Sequence, residues 1–171
     1  MLSLITPTPE YENSYRSYID ELGSAERYPF TLDFEYDDFP ALVTRLNNFS
    51  LGVDLPDGVV PNTTFWLVEH GEIVGVSSLR HHLTRELELL GGHIGFGARP
   101  SAQGRGVAKE LLRQTLIEAG DRGMWEVLLI CLSGNTASSR VIEANGGVLD
   151  SEYSMPEYAE RLQRYKIRIT G

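Results

Sequence analysis

Cysteine is almost missing from this 171-residue chain. Cys131 is the only one, and it lies in the apolar run Val127-Leu128-Leu129-Ile130-Cys131-Leu132. No intrachain disulfide can form, and a thiol in such surroundings reads as a small buried hydrophobe rather than a nucleophile. Long apolar runs are missing too: nothing approaches the roughly 20 residues that span a bilayer. The opening MLSLITPTPEYE has neither the basic region nor the small-residue cleavage site of a secretory signal. The expected compartment is therefore the cytoplasm, with no membrane partner. Cations are scarce beside anions, 15 Lys and Arg against 24 Asp and Glu, giving a net charge of -9 and a pI near 4.9. Binding to a phosphate backbone depends on clustered Lys and Arg, so no nucleic-acid partner is expected. Repeats and low-complexity tracts are absent as well. What is there is ordinary for a globular protein, 42% hydrophobic and 23% charged residues, and the length suits one domain with one active site.

Periodicity orders the elements. Helical spacing joins Tyr11, Tyr15, Tyr18, Ile19 and Leu22, and a second, shorter helix covers 39–46. After the breaker-rich stretch 53–62, residues 64–69 and 72–80 read as a β-hairpin turning at His70-Gly71. A short polar helix or turn, 83–90, leads through Gly91-Gly92 to a strand at 93–98. A helix follows Pro100 and a glycine-rich turn, its apolar positions being Val107, Ala108, Leu111, Leu112, Thr115, Leu116 and Ala119, and Gly120 and Gly123 end it. Next comes a strand at 127–132. Asn135, a good N-cap, then opens a helix that Gly146-Gly147 closes. Strands at 148–153 and 162–169 finish the chain. In the last, Arg164, Lys166 and Arg168 form the wet face of an end strand. The expected class is mixed α/β (α+β) with one sheet.

The turn Gln103-Gly104-Arg105-Gly106-Val107-Ala108 carries the clearest chemical signal. Backbone N–H groups at a helix start lack intrahelical acceptors and can converge on an anion, with the helix dipole adding favourable potential. Gly104 and Gly106 would let a bulky diphosphate come against the backbone; a turn that needs glycine only for its dihedrals is the plainer alternative. A dinucleotide fingerprint fails, because Gly95-x-Gly97 is followed by Pro100 and Gly104-x-Gly106 by Lys109. A P-loop fails because no Gly-Lys-Ser/Thr exists.

Gln103-x-x-Gly106-x-Ala108, with Arg105 inside it, resembles the coenzyme A signature of the GCN5-related N-acetyltransferase (GNAT) family: Arg or Gln, two residues, Gly, one residue, then Gly or Ala. The resemblance runs from Gly92 to Glu152 in the order strand, Gly-rich helix, strand, Asn-capped helix. The Gly146-Gly147 ending and the Ile130-Cys131 strand are most similar to a branch of the family with no clear substrate. It implies the acyl-CoA N-acyltransferase fold, a single mixed and mostly antiparallel sheet with a splayed central strand pair, flanked by helices. One domain, 1–171, would comprise acceptor-side helices in 8–62 and a coenzyme-binding core in 63–171. The implied donor is acetyl-CoA, its pyrophosphate on Gln103, Gly104, Arg105, Gly106, Val107 and Ala108, and its pantetheine arm on Phe96, Gly97, Ala98 and Asn135. The implied partner is an amine-bearing acceptor, and oligomeric state stays open, a homodimer included.

Transfer from a thioester to an amine needs a base, an oxyanion site and an acid for the departing thiolate. An imidazole with a pKa near 6.5 suits the first task. His93 is the candidate, falling where several relatives carry a basic Glu; a hydrogen-bonded structural histidine is the alternative, and Glu86 and Glu88 are weaker ones. A backbone N–H near Phe96 to Ala98 would meet the oxyanion. Many relatives place an acidic Tyr seven residues after the capping Asn, but here that position is Ile142. Tyr153 or Tyr165 could supply the phenol, although a buried Tyr more often bonds to backbone, and solvent could protonate a thiolate whose intrinsic pKa is about 8.5. His70, His81, His82 and His93 are not placed as a metal set, so no metal is expected. The acidic, aromatic stretch 32–39 reads as a solvated loop anchored by its aromatics, the alternative being an acceptor pocket. A coenzyme A binding module without activity is the competing reading, and an ATP-binding protein a third that the missing P-loop disfavours.

Overall fold

The structure is a computed structural model that describes residues 1–170. Five helices and seven strands follow in chain order: β1 (Ser3–Ile5), α1 (Glu12–Leu22), α2 (Phe39–Leu51), β2 (Asn62–Glu69), β3 (Glu72–Arg80), α3 (Arg85–Leu90), β4 (Ile94–Ala98), α4 (Val107–Asp121), β5 (Glu126–Leu132), α5 (Thr136–Ala144), β6 (Val148–Tyr153) and β7 (Leu162–Arg168). The boundaries have local causes. Asp38 caps α2 by accepting the Ala41 N–H, and Gly52 at φ 74° closes it. Asn135 caps α5 by accepting the Ser138 N–H, as expected. The β2–β3 hairpin turns through His70 and Gly71, both at positive φ, which matches the twist of the flanking strands. The short β1, on the edge beside β2, had no expectation, and α2 runs five residues past the anticipated Leu46.

Every strand pair is antiparallel, and the strands fall into two groups, β1-β2-β3-β4 and β5-β7-β6. The expected splay between β4 and β5 is thus complete along both strands. Among the described residues, the backbone hydrogen bonding between these segments lies just before β4, where Gly92 bridges Leu129 and the His93 N–H donates to the Leu128 carbonyl at 2.7 Å. Gly92 is at φ 68°, and a Cβ there would stand 2.6 Å from the Leu128 oxygen, so only glycine allows this approach. β7 corrects an expectation: it lies between β5 and β6 and is not an end strand. Its outward Arg164 and Lys166 are neutralised by Asp150 of β6, at 3.0 and 3.4 Å.

Helices cover both faces of the first sheet, which is why β2 and β3 are buried almost throughout. Trp66, Val68 and Val76 face α1 and α2, packed with Tyr15, Tyr18, Phe39 and Leu46. Phe65, Leu67 and Leu79 face the other way, where α4 supplies Val107, Leu111 and Leu112. Helix α4 is seated closely on β3. A Cβ at Gly75 would meet Leu111 at 3.1 Å, and Ser77 and Thr115 share a buried hydrogen bond of 2.8 Å. Cys131 is buried as expected, and burial pushes its thiol up to about 11. Among the described residues no helix is long and apolar enough to cross a membrane.

Arg99, at the end of β4, ties the two layers together. Its guanidinium donates to Glu21 at 3.0 Å and to Ser17 at 2.7 Å, both on α1, while Glu21 also accepts the Ser101 N–H at 2.7 Å. Burial pushes the Glu21 carboxyl up, but the hydrogen bonds from Ser101 and Arg99 outweigh it and hold the group below its ordinary value. Arg99 is only 7% exposed in its side chain, so removing its counter-ion leaves a buried charge. Glu21→Ala is expected to cost about 2–3 kcal/mol in urea denaturation; a loss under about 0.5 kcal/mol, the range of ordinary surface changes, would show that the pair is dispensable.

Candidate active site

The glycine turn opens onto solvent. Gly104 and Gly106 sit at φ 80° and 77°, and a Cβ on either would meet nothing within 4 Å. Their backbone conformation therefore requires glycine, while the space above them stays empty. Among the described residues, the N–H groups of Gly104, Arg105, Gly106, Val107, Ala108 and Lys109 find no acceptor, and α4 has no side-chain cap. Gln103 is exposed, Ala108 half-buried, and Val107 anchors the helix in the core. Arg105 is turned back onto Glu69 at 3.2 Å. This is an uncapped positive helix end, suited to an anion of diphosphate size.

From the turn, β4 leads into the splay. The Arg99 N–H donates to the Val74 carbonyl of β3, and the His93 carbonyl accepts the N–H of Arg80, also of β3. Antiparallel pairing alternates, so Gly95 and Gly97 also direct their backbone groups to β3. Those of Ile94, Phe96 and Ala98 face β5, which is not paired with them. Phe96 and Ala98 thus stand where a ligand could add itself as a strand; Gly97 does not, and its carbonyl also accepts from Tyr18 at 3.3 Å.

The gap is a cavity of about 290 Å³ whose lining includes Phe96, Ile130, Cys131, Asn135 and Ser138, with Glu26, Tyr28 and Tyr158 at its lip. The structure therefore brings Phe96 and Asn135 to one cavity. Glu26 and Tyr28 come from the loop between α1 and α2, and Tyr158 from that between β6 and β7. Sequence reading missed all three. The available signal was Gly95-x-Gly97, two glycines on one face of a strand, a mark of close approach. A Cβ at Gly95 would stand 2.9 Å from the Tyr28 hydroxyl, and one at Gly97 would stand 2.9 Å from the Tyr28 carbonyl.

The residues expected to do acid–base work lie elsewhere. His93 lines a different cavity, of about 550 Å³, with Glu88, Glu126, Arg164 and Lys166. Its Nδ1 accepts the Leu128 N–H at 2.9 Å, which leaves only Nε2 to exchange protons. Burial and then Arg80 push its pKa below the ordinary value. The Tyr153 hydroxyl donates to the Leu89 carbonyl at 2.7 Å, and that of Tyr165 to Glu143 at 3.2 Å. Ile142 is buried at 1% exposure in the core beneath α5. Glu86 is on α3 and is not among the residues lining either cavity. Another hollow of about 640 Å³, between α4 and β7, is lined by Leu116, Ile117, Trp125 and Ile169. It touches neither the turn nor the splay, and shape alone gives it no chemistry.

Residues 35–148 match the family of Acetyltransferase (GNAT) domains. No curated protein sequence matches the chain. Among solved structures, it is similar to an acetyltransferase from Salmonella typhimurium that modifies the N-terminal serine of ribosomal protein L7/L12. That likeness has a TM-score of 0.72 at 15% identity, covering 99% of this chain and 95% of that one. The microcin C7 self-immunity acetyltransferase, solved with acetyl-CoA and AMP, gives 0.71 at 15%, covering 98% and 92%. Mutant forms of a spermidine/spermine N-acetyltransferase from Vibrio cholerae give 0.64 at 14%, covering 98% and 95%.

The lowered pKa of His93 has a consequence for stability. The folded protein resists protonating the ring more than the unfolded chain does, so this contribution is full above about pH 6.5 and is lost as pH falls below it. His81 is shifted the same way, by burial, then Arg122 and His82. Urea midpoints should fall between pH 8 and pH 5.5, and fall less in His93→Asn, whose amide oxygen can still accept the Leu128 N–H. An unchanged pH dependence in that variant would mean that His93 titrates alike in both states.

Proposed function

Since the chain belongs to the GNAT acetyltransferase family, we propose that it transfers an acetyl group from acetyl-CoA to a primary amine by direct attack. One observation carries the donor site: six N–H groups of the glycine turn and the first turn of α4, none with an acceptor among the described residues, stand beyond the end of a strand whose outward backbone has no partner. The diphosphate of the coenzyme would take the turn and its pantetheine amides would pair with Phe96 and Ala98, while Asn135 and Ser138 close the far wall. The acetyl-CoA bound by the microcin-immunity neighbour supports the same donor.

The chemistry follows from these positions. The amine nitrogen attacks the thioester carbonyl; the resulting oxyanion is met by a backbone N–H of Phe96 or Ala98, already free of the ladder and needing no reorganisation. The amine proton leaves through water, and His93 Nε2 is the acceptor proposed for it, acting through solvent because the ring does not line the cleft. The neighbours' acceptors are a protein N-terminus and polyamines; both are cationic before reaction, and a protein of net charge -9 suits such acceptors. Cytoplasmic action belongs to the same proposal.

Buried Ile142 favours a second reading, a coenzyme A binder without activity, because the phenol common at that position is missing. Incubation with acetyl-CoA and a set of amines, peptide N-termini and polyamines included, separates the two. Release of free thiol supports the enzyme, whereas calorimetric binding without turnover on any amine supports the binder. Gly106→Gln, which carries the strain of a side chain at φ 77° without a charge, should weaken coenzyme A binding only in part, whereas Gly106→Glu should abolish it in calorimetry, since the space above Gly106 is empty but a carboxylate there repels a diphosphate. Wild-type affinity in that variant would remove the turn from the donor site.

A further inference from the structure

The departing thiolate needs a proton donor, and the structure offers one that lies outside α5. Tyr28 and Tyr158 line the cleft; of two further tyrosines that do not line it, Tyr18 has its hydroxyl committed to the Gly97 carbonyl and Tyr153 to the Leu89 carbonyl, which makes four to compare. Tyr28 differs. Among the described residues its hydroxyl has no hydrogen-bond partner, and it lies against Gly95, one residue before Phe96. That contact exists because position 95 lacks a Cβ, and the neighbouring Tyr28 carbonyl is seated on Gly97 in the same way. The Gly95-Phe96-Gly97 stretch, which lacks the third glycine of a dinucleotide fingerprint, is thus the bed of the Tyr28 loop. Tyr158, the fourth tyrosine, also lines the cavity, but it comes from the loop between β6 and β7 and no glycine of β4 seats it.

We propose that Tyr28 is the catalytic acid of the transfer, donating its hydroxyl proton to the coenzyme sulfur as the carbon–sulfur bond breaks. This rests on the donor-site reading above. The electron pair of the broken bond goes to sulfur and the Tyr28 proton follows it, giving free coenzyme A thiol. The proton shed by the attacking amine, held by His93 Nε2 through water, is passed on through water to the tyrosinate, so protons balance over the cycle and both groups return to their starting state. Tyr28 is 45% exposed as a residue, with its hydroxyl end laid against Gly95. Burial, partly opposed by Arg80 and reinforced by Glu26, Tyr158 and Cys131, raises its pKa, so it remains a donor when a thiolate forms beside it.

The test needs no acceptor. Coenzyme A is bound to the wild-type protein and to Tyr28→Phe, and the bound thiol is titrated by thiolate absorbance in the ultraviolet. A hydroxyl directed at sulfur stabilises the thiolate, so the bound thiol should titrate about one pH unit lower in the wild type than in Tyr28→Phe, a tenfold effect. Calorimetric affinity for coenzyme A at neutral pH should stay alike. Gly95→Ala, which pushes the hydroxyl away, should move the titration in the same direction, and Tyr158→Phe should leave it unchanged. Equal thiol titration in wild type and Tyr28→Phe, with binding intact, overturns the assignment of Tyr28 alone; a shift in Tyr158→Phe instead overturns it in favour of that residue. If the wild type does not bind coenzyme A, the donor site itself fails, and Tyr28 with it.

Discussion

Everything at the candidate site depends on how β4 and β5 meet. Contact at Gly92 and His93 pins the strands at one end, and their divergence beyond it leaves one edge of each without a partner. Unpaired backbone groups are tolerated only where water or a ligand can reach them. The splay therefore turns a cost of sheet disruption into a slot lined with fixed hydrogen-bonding groups, and the pin decides where that slot begins. His93 contributes twice to the pin, giving its N–H to the Leu128 carbonyl and accepting the Leu128 N–H at its own Nδ1. A side chain engaged in this way is part of the frame, which restricts its chemistry to the remaining ring nitrogen.

The layers around the slot have different origins. α4 and α5 follow directly from the strands that precede them, by short turns with glycine or an Asn cap. The layer of α1 and α2 is fastened from a distance by Arg99, which sits between the end of β4 and the glycine turn. One buried guanidinium thereby joins the donor side to the layer that carries Glu26 and Tyr28. Aromatic packing around Trp66 fills the interior between them, and the Tyr15 hydroxyl and Trp66 indole N–H are left there without hydrogen-bond partners, a price in polar satisfaction.

What could be read from the sequence was whatever is encoded locally. Helical periodicity placed α4, a cap placed α5, and positive-φ turn residues placed the β2–β3 hairpin. The glycine turn stood out because Gln103-x-x-Gly106-x-Ala108 resembles a family signature, not because glycines at a helix start are rare. The order of strands in space was not: Arg164, Lys166 and Arg168 look the same in an end strand as in β7, where Asp150 of β6 neutralises the first two. Side-chain commitments were equally hidden. Nothing near Tyr153 in the sequence announces that its hydroxyl is bound to Leu89, and nothing near Tyr28 announces that it reaches β4. Only the paired glycines of β4 recorded that approach, from the strand's side.

The seating of α4 on β3 gives the slot a length. Leu111 rests on Gly75 and Thr115 is bonded to Ser77, so the helix cannot slide along the strand without losing both a close contact and a buried hydrogen bond. Its free N–H groups are accordingly held at a fixed offset from Phe96 and Cys131, set by hard contacts between regular elements rather than by the conformation of a loop. Such an arrangement works as a gauge. In the proposed donor site it would favour an occupant whose anionic end and reactive end are separated by one particular distance, discriminating by measure before any group at the reacting centre is consulted.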